Sequence, residues 1–482
     1  MKFGTSGLRG LVTDLQGHAS ALYATAFARH LLDAGLAKVG DRIFVAGDYR
    51  PSSPDIAATC IGALARAGLQ PIDCGAIPTP ALALYAMSKG CASLMVTGSH
   101  IPADRNGIKF YRPDGEIDKV DELAITRIAA EIGDTIVDLT PGTAQSEEHQ
   151  AVELFLSRNR ALLPAGALSG LKIGLYQHST VARDGLIDVI AGYGAQVVAL
   201  GRSDHFIPVD TEAVSGQTIE LLRGWAREHD LDAIVSADGD GDRPLVANEV
   251  GTPVRGDLLG LIVARFLEAR VVVTPVTSNS GIEAAGSYRV TRTKVGSPFV
   301  IEGMNEATAA GETAVMGFEA NGGVLTQSDF AVANGALTAL PTRDSFLPVL
   351  ATLFLAKQQD KPLSAIVADF QLPVTAADRL ENFAVERSAA VMAHLRASPA
   401  NLAAFVKPLG AVGSVSDIDG LRVTLADRTI IHFRPSGNAP EMRCYVEAED
   451  EVAASSLLEK GLSLVRDWTN TLTRLPIEGC TL

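Results

Sequence analysis

The sequence predicts an α/β protein, with three similar α/β segments followed by a smaller α+β domain. Three observations carry this. Hydrophobic residues make up 47% of the 482-residue chain and aromatic residues only 5%. That balance suits helices packed on sheets better than an aromatic-rich β-sandwich. Short apolar runs of strand length alternate with longer stretches of helical spacing through residue 372, the mark of βαβ units and a mostly parallel sheet. In each segment a strand empties into a polar, glycine-containing loop, where open α/β sheets hold their ligands.

The first segment opens with helical spacing over 20–37 and a strand over 42–45 that runs into Gly47, Asp48, Tyr49, Arg50 and Pro51. A helix over 55–67, a strand over 71–74, the Pro78-Thr79-Pro80 turn and a helix over 81–89 follow. The apolar run 94–96 then breaks into Thr97, Gly98, Ser99 and His100, with Lys109 opening the next apolar piece. Beyond a polar junction at 145–150 come a strand over 171–176, a helix over 184–192, a strand over 196–200 and a helix over 218–229. The strand 231–235 empties into Asp238, Gly239, Asp240, Gly241, Asp242 and Arg243. The third cycle has a helix over 257–267, a strand over 271–276, a short helix over 280–285, a strand over 289–295 and a helix from 298. Its last strand, 313–316, empties into Phe318, Glu319, Ala320, Asn321, Gly322 and Gly323, and a helix over 345–357 closes it. After Pro373 the pattern changes to a helix over 388–395, strands over 421–425, 429–433 and 443–447, and a final helix over 451–468. These shifts place domain boundaries at 1–148, 149–254, 255–372 and 373–482.

Charge and cysteine usage exclude several classes. Lys plus Arg number 41 and Asp plus Glu 56, a formal charge of −15, so nucleic-acid binding is not expected as a main function. No apolar run approaches membrane-spanning length, and the N-terminus lacks the apolar core of a signal peptide. Five cysteines without metal-type spacing read as reduced thiols of a cytoplasmic protein.

Four loops carry candidate chemistry. Ser99 with His100 beside it offers a nucleophile or phosphoryl carrier with a proton-transfer partner, and Lys109 an anion clamp; the same residues also make an ordinary capped turn. Asp238, Asp240 and Asp242, spaced by two with glycines between, put three carboxylates on one side of an extended loop. All-oxygen ligation of this kind suits a hard cation, Mg²⁺ or Ca²⁺. An EF-hand is ruled out, because Arg243 stands at the sixth position where glycine is needed and a strand precedes the loop. Arg243 is either a salt-bridge partner of these carboxylates or a phosphate ligand beside the metal. Glu319 and Asn321 are suitable partners for sugar hydroxyls, which both donate and accept hydrogen bonds. Arg434, Ser436, Gly437 and Asn438 form an oxyanion-binding set of guanidinium, hydroxyl and backbone N–H groups. Arg9 and Arg50 are further cations beside glycine-bearing loops.

Taken in order, FGTSGLRG, VTGSHIPADRNGIKFY, SADGDGDRP, GFEANGG and RPSGNAPEMRCYVEA resemble the loops of the α-D-phosphohexomutase superfamily, over the full chain. The resemblance implies three similar α/β/α domains and a smaller C-terminal domain around a central cleft. It implies that Ser99 is the phosphoserine and that Asp238, Asp240 and Asp242 bind one Mg²⁺ with a phosphoserine oxygen. Arg243 would lie close to the phosphoryl group, with His100 and Lys109 assisting proton transfer and charge stabilisation, and Arg9 would join the catalytic set. Glu319 and Asn321 would bind sugar hydroxyls, and Arg434, Ser436, Gly437 and Asn438 the phosphate that is not reacting. The implied activity interconverts hexose 6-phosphate and hexose 1-phosphate, mannose phosphate first, with hexose 1,6-bisphosphate as activator. Phosphoglucomutase and phosphoglucosamine mutase activity are the enzymatic alternatives, and non-catalytic sugar-phosphate binding the alternative of another class.

Overall fold

The computed structural model describes residues 2–4, 7–133, 137–436 and 440–472. The chain divides into two compact units. One holds the chain through Thr274 together with Gly286–Thr291 and Gly296–Phe370; the other holds Pro275–Ala285, Arg292–Val295 and the chain from Gln371.

In the first unit, an eight-stranded sheet is built round Arg42–Gly47, which pairs in parallel with Gln70–Ala76 and Ser93–Val96. A second sheet sets Ala233–Ala237 parallel to Lys172–His178, and a third sets Val315–Phe318 parallel to Val271–Pro275. Each sheet is mixed: the second is mostly parallel as expected, with two parallel pairings and one antiparallel, whereas in the first four antiparallel pairings outnumber three parallel ones. Arg105–Arg112 returns antiparallel to Ser93–Val96, Pro244–Ala247 to Ala233–Ala237, and Val324–Thr326 to Val315–Phe318. The cause is connection length. A parallel return needs a crossover of about a dozen residues or more, and the loops 97–104, 238–243 and 319–323 are too short for one. Three of the four candidate loops are thus the ones that force a strand to reverse.

Side-chain alternation along these strands sorts core from site. Leu8, Leu94, Val96, Ile108 and Phe110 belong to one buried cluster with Phe27, Ile56, Leu64 and Ile125 of the flanking helices. Arg9 pairs with Gly107, and Lys109 with Met95. Both cations lie one residue out of phase with that cluster and so project from the opposite face of the sheet.

Two helices were hidden by their charge. The polar junction at 145–150 opens a helix, Glu148–Arg160, whose buried Ala151, Phe155, Leu156 and Asn159 fall on one stripe. Lys119–Ile132 starts from a capping box in which Asp118 accepts from Val120 and Asp121 N–H, the usual way of satisfying a helix's first donors. In the second unit a five-stranded antiparallel sheet, Val374–Leu380, Met442–Ala448, Ile430–Pro435, Leu421–Leu425 and Val412–Ser416 in spatial order, packs on helices Val385–Ala397, Pro399–Val406 and Glu451–Leu472. The α+β expectation for the tail holds, with two strands and one helix beyond those read from the sequence. No helix among the described residues is long and apolar enough to cross a membrane.

Candidate active site

The serine loop is held in an unfavourable backbone conformation. Ser99 has φ +56°, the left-handed region that non-glycine residues enter at a cost of about 1–3 kcal/mol. The surrounding contacts fix it there. Ser99 N–H donates to Thr97 Oγ1 at 2.8 Å, and Thr97 Oγ1 donates to Asp48 Oδ2 at 2.7 Å. Arg50 lies buried under the loop and donates to the carbonyls of Ser99, Ile101, Pro102 and Arg105 at 2.5–2.9 Å while pairing with Asp48. A Cβ on Gly98 would come within 2.6 Å of Arg50 Cζ, so glycine is required by space. Arg50 is therefore a structural clamp and not a free anion ligand. Arg50→Met should destabilise the protein by about 3–5 kcal/mol, the range for breaking a buried ion pair from one side, read as a lower urea midpoint; an unchanged midpoint would remove the clamp role.

The three aspartates follow the C-terminal end of Ala233–Ala237. All three are fully buried, with one carboxylate oxygen from each within 4.8 Å of the others. Gly241, at φ +69°, makes the turn that curls the loop. Ser99 Oγ donates to Asp238 Oδ2 at 2.5 Å. Lys109 Nζ donates to Asp240 Oδ2 and Asp242 Oδ2, each at 2.6 Å, and Thr79 Oγ1 donates to Asp240 Oδ2 at 2.6 Å. Burial, with Asp240 and Asp242 as like charges, raises the Asp238 pKa well above the ordinary carboxylate value. Burial also pushes Asp240 upward, but the Lys109 ammonium outweighs it and holds Asp240 below its usual range. Asp240 Oδ1 and Asp242 Oδ1 are buried without a hydrogen-bond partner. Unbonded buried carboxylate oxygens are costly, and these two point to a hard cation, so the donor set fits a Mg²⁺-type ion.

Cations crowd the other side. Arg243 Nη1 donates to His100 Nδ1 at 2.8 Å, while Ser99 Oγ lies 3.3 Å from the same nitrogen. Burial and the Arg243 charge lower the His100 pKa to about 3, so the ring is neutral through the physiological range. Arg9 makes no side-chain hydrogen bond among the described residues. Burial first, then repulsion from Arg243 and Arg343, lowers its pKa to about 10. Arg343 is held by Asp242 and Glu319, so of these guanidiniums Arg9 and Arg243 are the ones suited to an anion.

Glu319 and Asn321 are both buried. Asn321 Oδ1 accepts from Gly323 N–H at 3.0 Å, and Asn321 O accepts from Thr211 Oγ1 at 3.2 Å, which fixes the loop. Ser99, His100, Lys109, Arg9, Arg243, the three aspartates, Glu319 and Asn321 all belong to the first unit. Arg434 and Ser436 belong to the second unit, at the end of Ile430–Pro435. Arg434 Nε donates to Asp419 Oδ2 at 2.8 Å, and Ser436 N–H to Glu441 O at 2.9 Å. Gly437 and Asn438 lie outside the described residues.

Residues 1–135 match the profile of the phosphoglucomutase/phosphomannomutase alpha/beta/alpha domain I, and residues 255–372 that of domain III. A phosphomannomutase of Sinorhizobium fredii is 56% identical over 96% of this chain and 98% of that protein. The chain belongs to the phosphoglucomutase/phosphomannomutase family. A second phosphomannomutase, from Salmonella muenchen, is 41% identical over 97% of this chain and 96% of that protein. A phosphoglucomutase/phosphomannomutase family protein of Burkholderia thailandensis shares the fold at TM-score 0.76 and 20% identity, over 97% of each chain.

The structure of this family member adds a segment that reading the loops missed. Thr342, Arg343, Asp344 and Ser345 are consecutive and buried. Thr342 Oγ1 donates to Glu116 Oε1, Arg343 to Asp242 and Glu319, and Ser345 Oγ to Gly241 O. Asp344 accepts from Arg158 and from Phe346 N–H. Four polar residues between apolar Leu340 and Phe346 were the available signal. They read as an ordinary helix start because their partners lie far away in the chain.

Proposed function

We propose that this chain interconverts mannose 6-phosphate and mannose 1-phosphate, carrying the phosphoryl group on Ser99 through a hexose 1,6-bisphosphate. The observation that carries the reading is the placement of the Ser99 hydroxyl against Asp238, beside two aspartates that each keep an unbonded buried oxygen. Similarity to phosphomannomutases over nearly the whole chain supports mannose phosphate as the substrate.

Phosphoryl transfer of this kind rests on positioning and charge stabilisation. Asp238, Asp240 and Asp242 would hold Mg²⁺, which when bound offsets charge on the transferring group. Arg9 and Arg243 face that group as cations. In the first transfer the bond between Ser99 Oγ and phosphorus breaks as the sugar oxygen bonds to phosphorus. The proton leaving the sugar hydroxyl is matched by the one Ser99 Oγ takes up. After the bisphosphate turns over, its other phosphate returns to Ser99 by the reverse step. Glu319 and Asn321 hold sugar hydroxyls, and Arg434, Ser436, Gly437 and Asn438 hold the phosphate that is not reacting. Four domains, 1–148, 149–254, 255–372 and 373–482, would carry serine, metal, sugar and phosphate chemistry respectively.

His100 is neutral and its Nδ1 lone pair is engaged by Arg243, so it orients Arg243 and does not serve as a strong base. The pH profile of kcat/KM between about pH 5.5 and 8 should therefore keep its shape in His100→Gln, because a group with a pKa near 3 is already deprotonated throughout that window. Loss of a profile limb in the variant would restore His100 as the titrating base. The reading as a whole is tested with mannose, glucose and glucosamine 1-phosphates, each with Mg²⁺ and its 1,6-bisphosphate, following the 6-phosphate and free phosphate. Fastest isomerisation of mannose phosphate without phosphate release is the expected result. Absence of isomerisation with every sugar would leave the non-catalytic binder, and free phosphate alone a phosphatase.

A further inference from the structure

We infer that Arg343 is a positioning residue that couples cation binding at the aspartate loop to sugar recognition at Glu319. Its side chain is 1% exposed. Nε and Nη2 both donate to Asp242 Oδ2, at 3.0 and 2.8 Å, and Nη1 donates to Glu319 Oε2 at 2.9 Å. One rigid planar group thus holds two carboxylates from different loops, a task the single flexible ammonium of lysine cannot reproduce.

The arrangement leaves each carboxylate an oxygen for other work. Asp242 Oδ1 is buried and accepts no hydrogen bond, with Arg243 Nε 3.7 Å away, so it can take a cation while Arg343 occupies Oδ2. Glu319 takes Arg343 and Asn321 Nδ2 on the same oxygen, Oε2, and Oε1 receives no hydrogen bond among the described residues.

The surroundings hold Arg343 in place. A Cβ on Gly323 would lie 2.6 Å from Arg343 Cδ, so the sugar loop has a glycine where the arginine stem passes. The neighbouring Thr342, Asp344 and Ser345 are each hydrogen-bonded to a residue distant in the chain, Glu116, Arg158 and Gly241. Glu116 adds a third carboxylate whose charge favours the guanidinium. Lys109 shares Asp242 with Arg343, so cation, lysine and arginine compete for the field of one aspartate. Any shift of Arg343 toward Asp242 is a shift away from Glu319, and that exchange is the coupling.

Only the sugar half of this inference rests on the mutase reading, because the cation half is measured on the protein alone. The probe is Mn²⁺, titrated by electron paramagnetic resonance into wild type, Glu319→Gln, Arg343→Lys and Arg343→Met, each checked for a native circular dichroism spectrum. Glu319→Gln touches no metal carboxylate, but it removes the charge that draws Arg343 away from Asp242. It should weaken Mn²⁺ binding by about threefold or more. Arg343→Met removes a competing charge and should tighten Mn²⁺ binding by a similar factor, whereas Arg343→Lys keeps the charge and should stay within about twofold of wild type. In turnover, Arg343→Lys and Glu319→Gln should each raise KM for hexose phosphate by about tenfold, and the double variant no further than the worse single. An unchanged Mn²⁺ affinity in Glu319→Gln overturns the coupling even if both arginine variants fail to fold. Equal weakening in all three variants would reduce Arg343 to a structural role. A wild type without isomerase activity would instead overturn the mutase reading and leave the Mn²⁺ comparison standing.

Discussion

Ser99→Ala lowers turnover by at least about 10⁴-fold, the scale for removing a covalent nucleophile, while the chain stays folded. The hydroxyl is the one atom lost. Alanine keeps the Cβ, so the strain at φ +56° is unchanged, and the contacts of Thr97 and Arg50 to the Ser99 backbone remain. Asp238 loses a donor on Oδ2, which removes the hydrogen bond that opposes its raised pKa. Ser99→Gly separates chemistry from strain. It relieves the left-handed conformation and should gain about 0.5–1 kcal/mol of stability while losing activity equally. Mass spectrometry of wild type incubated with hexose 1,6-bisphosphate should find phosphate on the peptide containing Ser99. A phosphopeptide elsewhere, or more than about 1% residual turnover in Ser99→Ala, would remove Ser99 as the carrier, since a lost nucleophile costs far more than that.

Asp238→Asn separates function from stability more sharply. Burial, with Asp240 and Asp242 as like charges, raises the Asp238 pKa. The folded state therefore holds its proton more tightly than the unfolded chain does. The sign follows: stability associated with this group is fully present below the unfolded pKa and is lost as pH rises through the folded one. Without a cation, ionising this buried carboxylate among like charges is destabilising, and the amide removes that cost. The amide oxygen of the substituted side chain can still accept from the N–H groups of Asp242 and Arg243, which now donate to Asp238 Oδ1. The metal-free variant should melt at or above the wild-type temperature, lose the upward shift that millimolar Mg²⁺ gives wild type, and turn over at least about 10²-fold more slowly. Calorimetry with and without Mg²⁺ checks the first two outcomes. A variant that melts lower without metal and still gains from Mg²⁺ would show that the triad is structural.

The contrast between Arg50 and Arg343 shows how far side-chain type can be read without partners. From the sequence Arg50 was a cation beside a glycine-bearing loop, read sooner as a structural pair than as a ligand but with no partner to name. In the fold its guanidinium is consumed by Asp48 and four carbonyls. Arg343 carried no such signal, yet its guanidinium donates to both Asp242 and Glu319. Its partners lie 101 and 24 residues away along the chain, a separation no local pattern spans. The helix Glu148–Arg160 was missed for a related reason. Its apolar stripe is narrow and its remaining residues are polar, so its face shows only once neighbouring helices cover it.

The sequence by itself determined the α/β class, the three loops that follow strand ends and the residue types at their tips. Hydrophobic spacing and loop composition are local properties, and Ser99, Asp238, Asp240, Asp242, Glu319 and Asn321 stand out as candidates by residue type alone. Only the tertiary structure decided which cations are engaged and which stay available. Arg50 is bound into the serine loop, Lys109 lies between Asp240 and Asp242, Arg243 holds a neutral His100, and the Arg9 side chain is left without a hydrogen bond among the described residues. The physical reason is that a charge acts through its burial and the distances to its partners. Those distances are set by strand reversals and sheet register, which bring residues from distant parts of the chain to within hydrogen-bond reach.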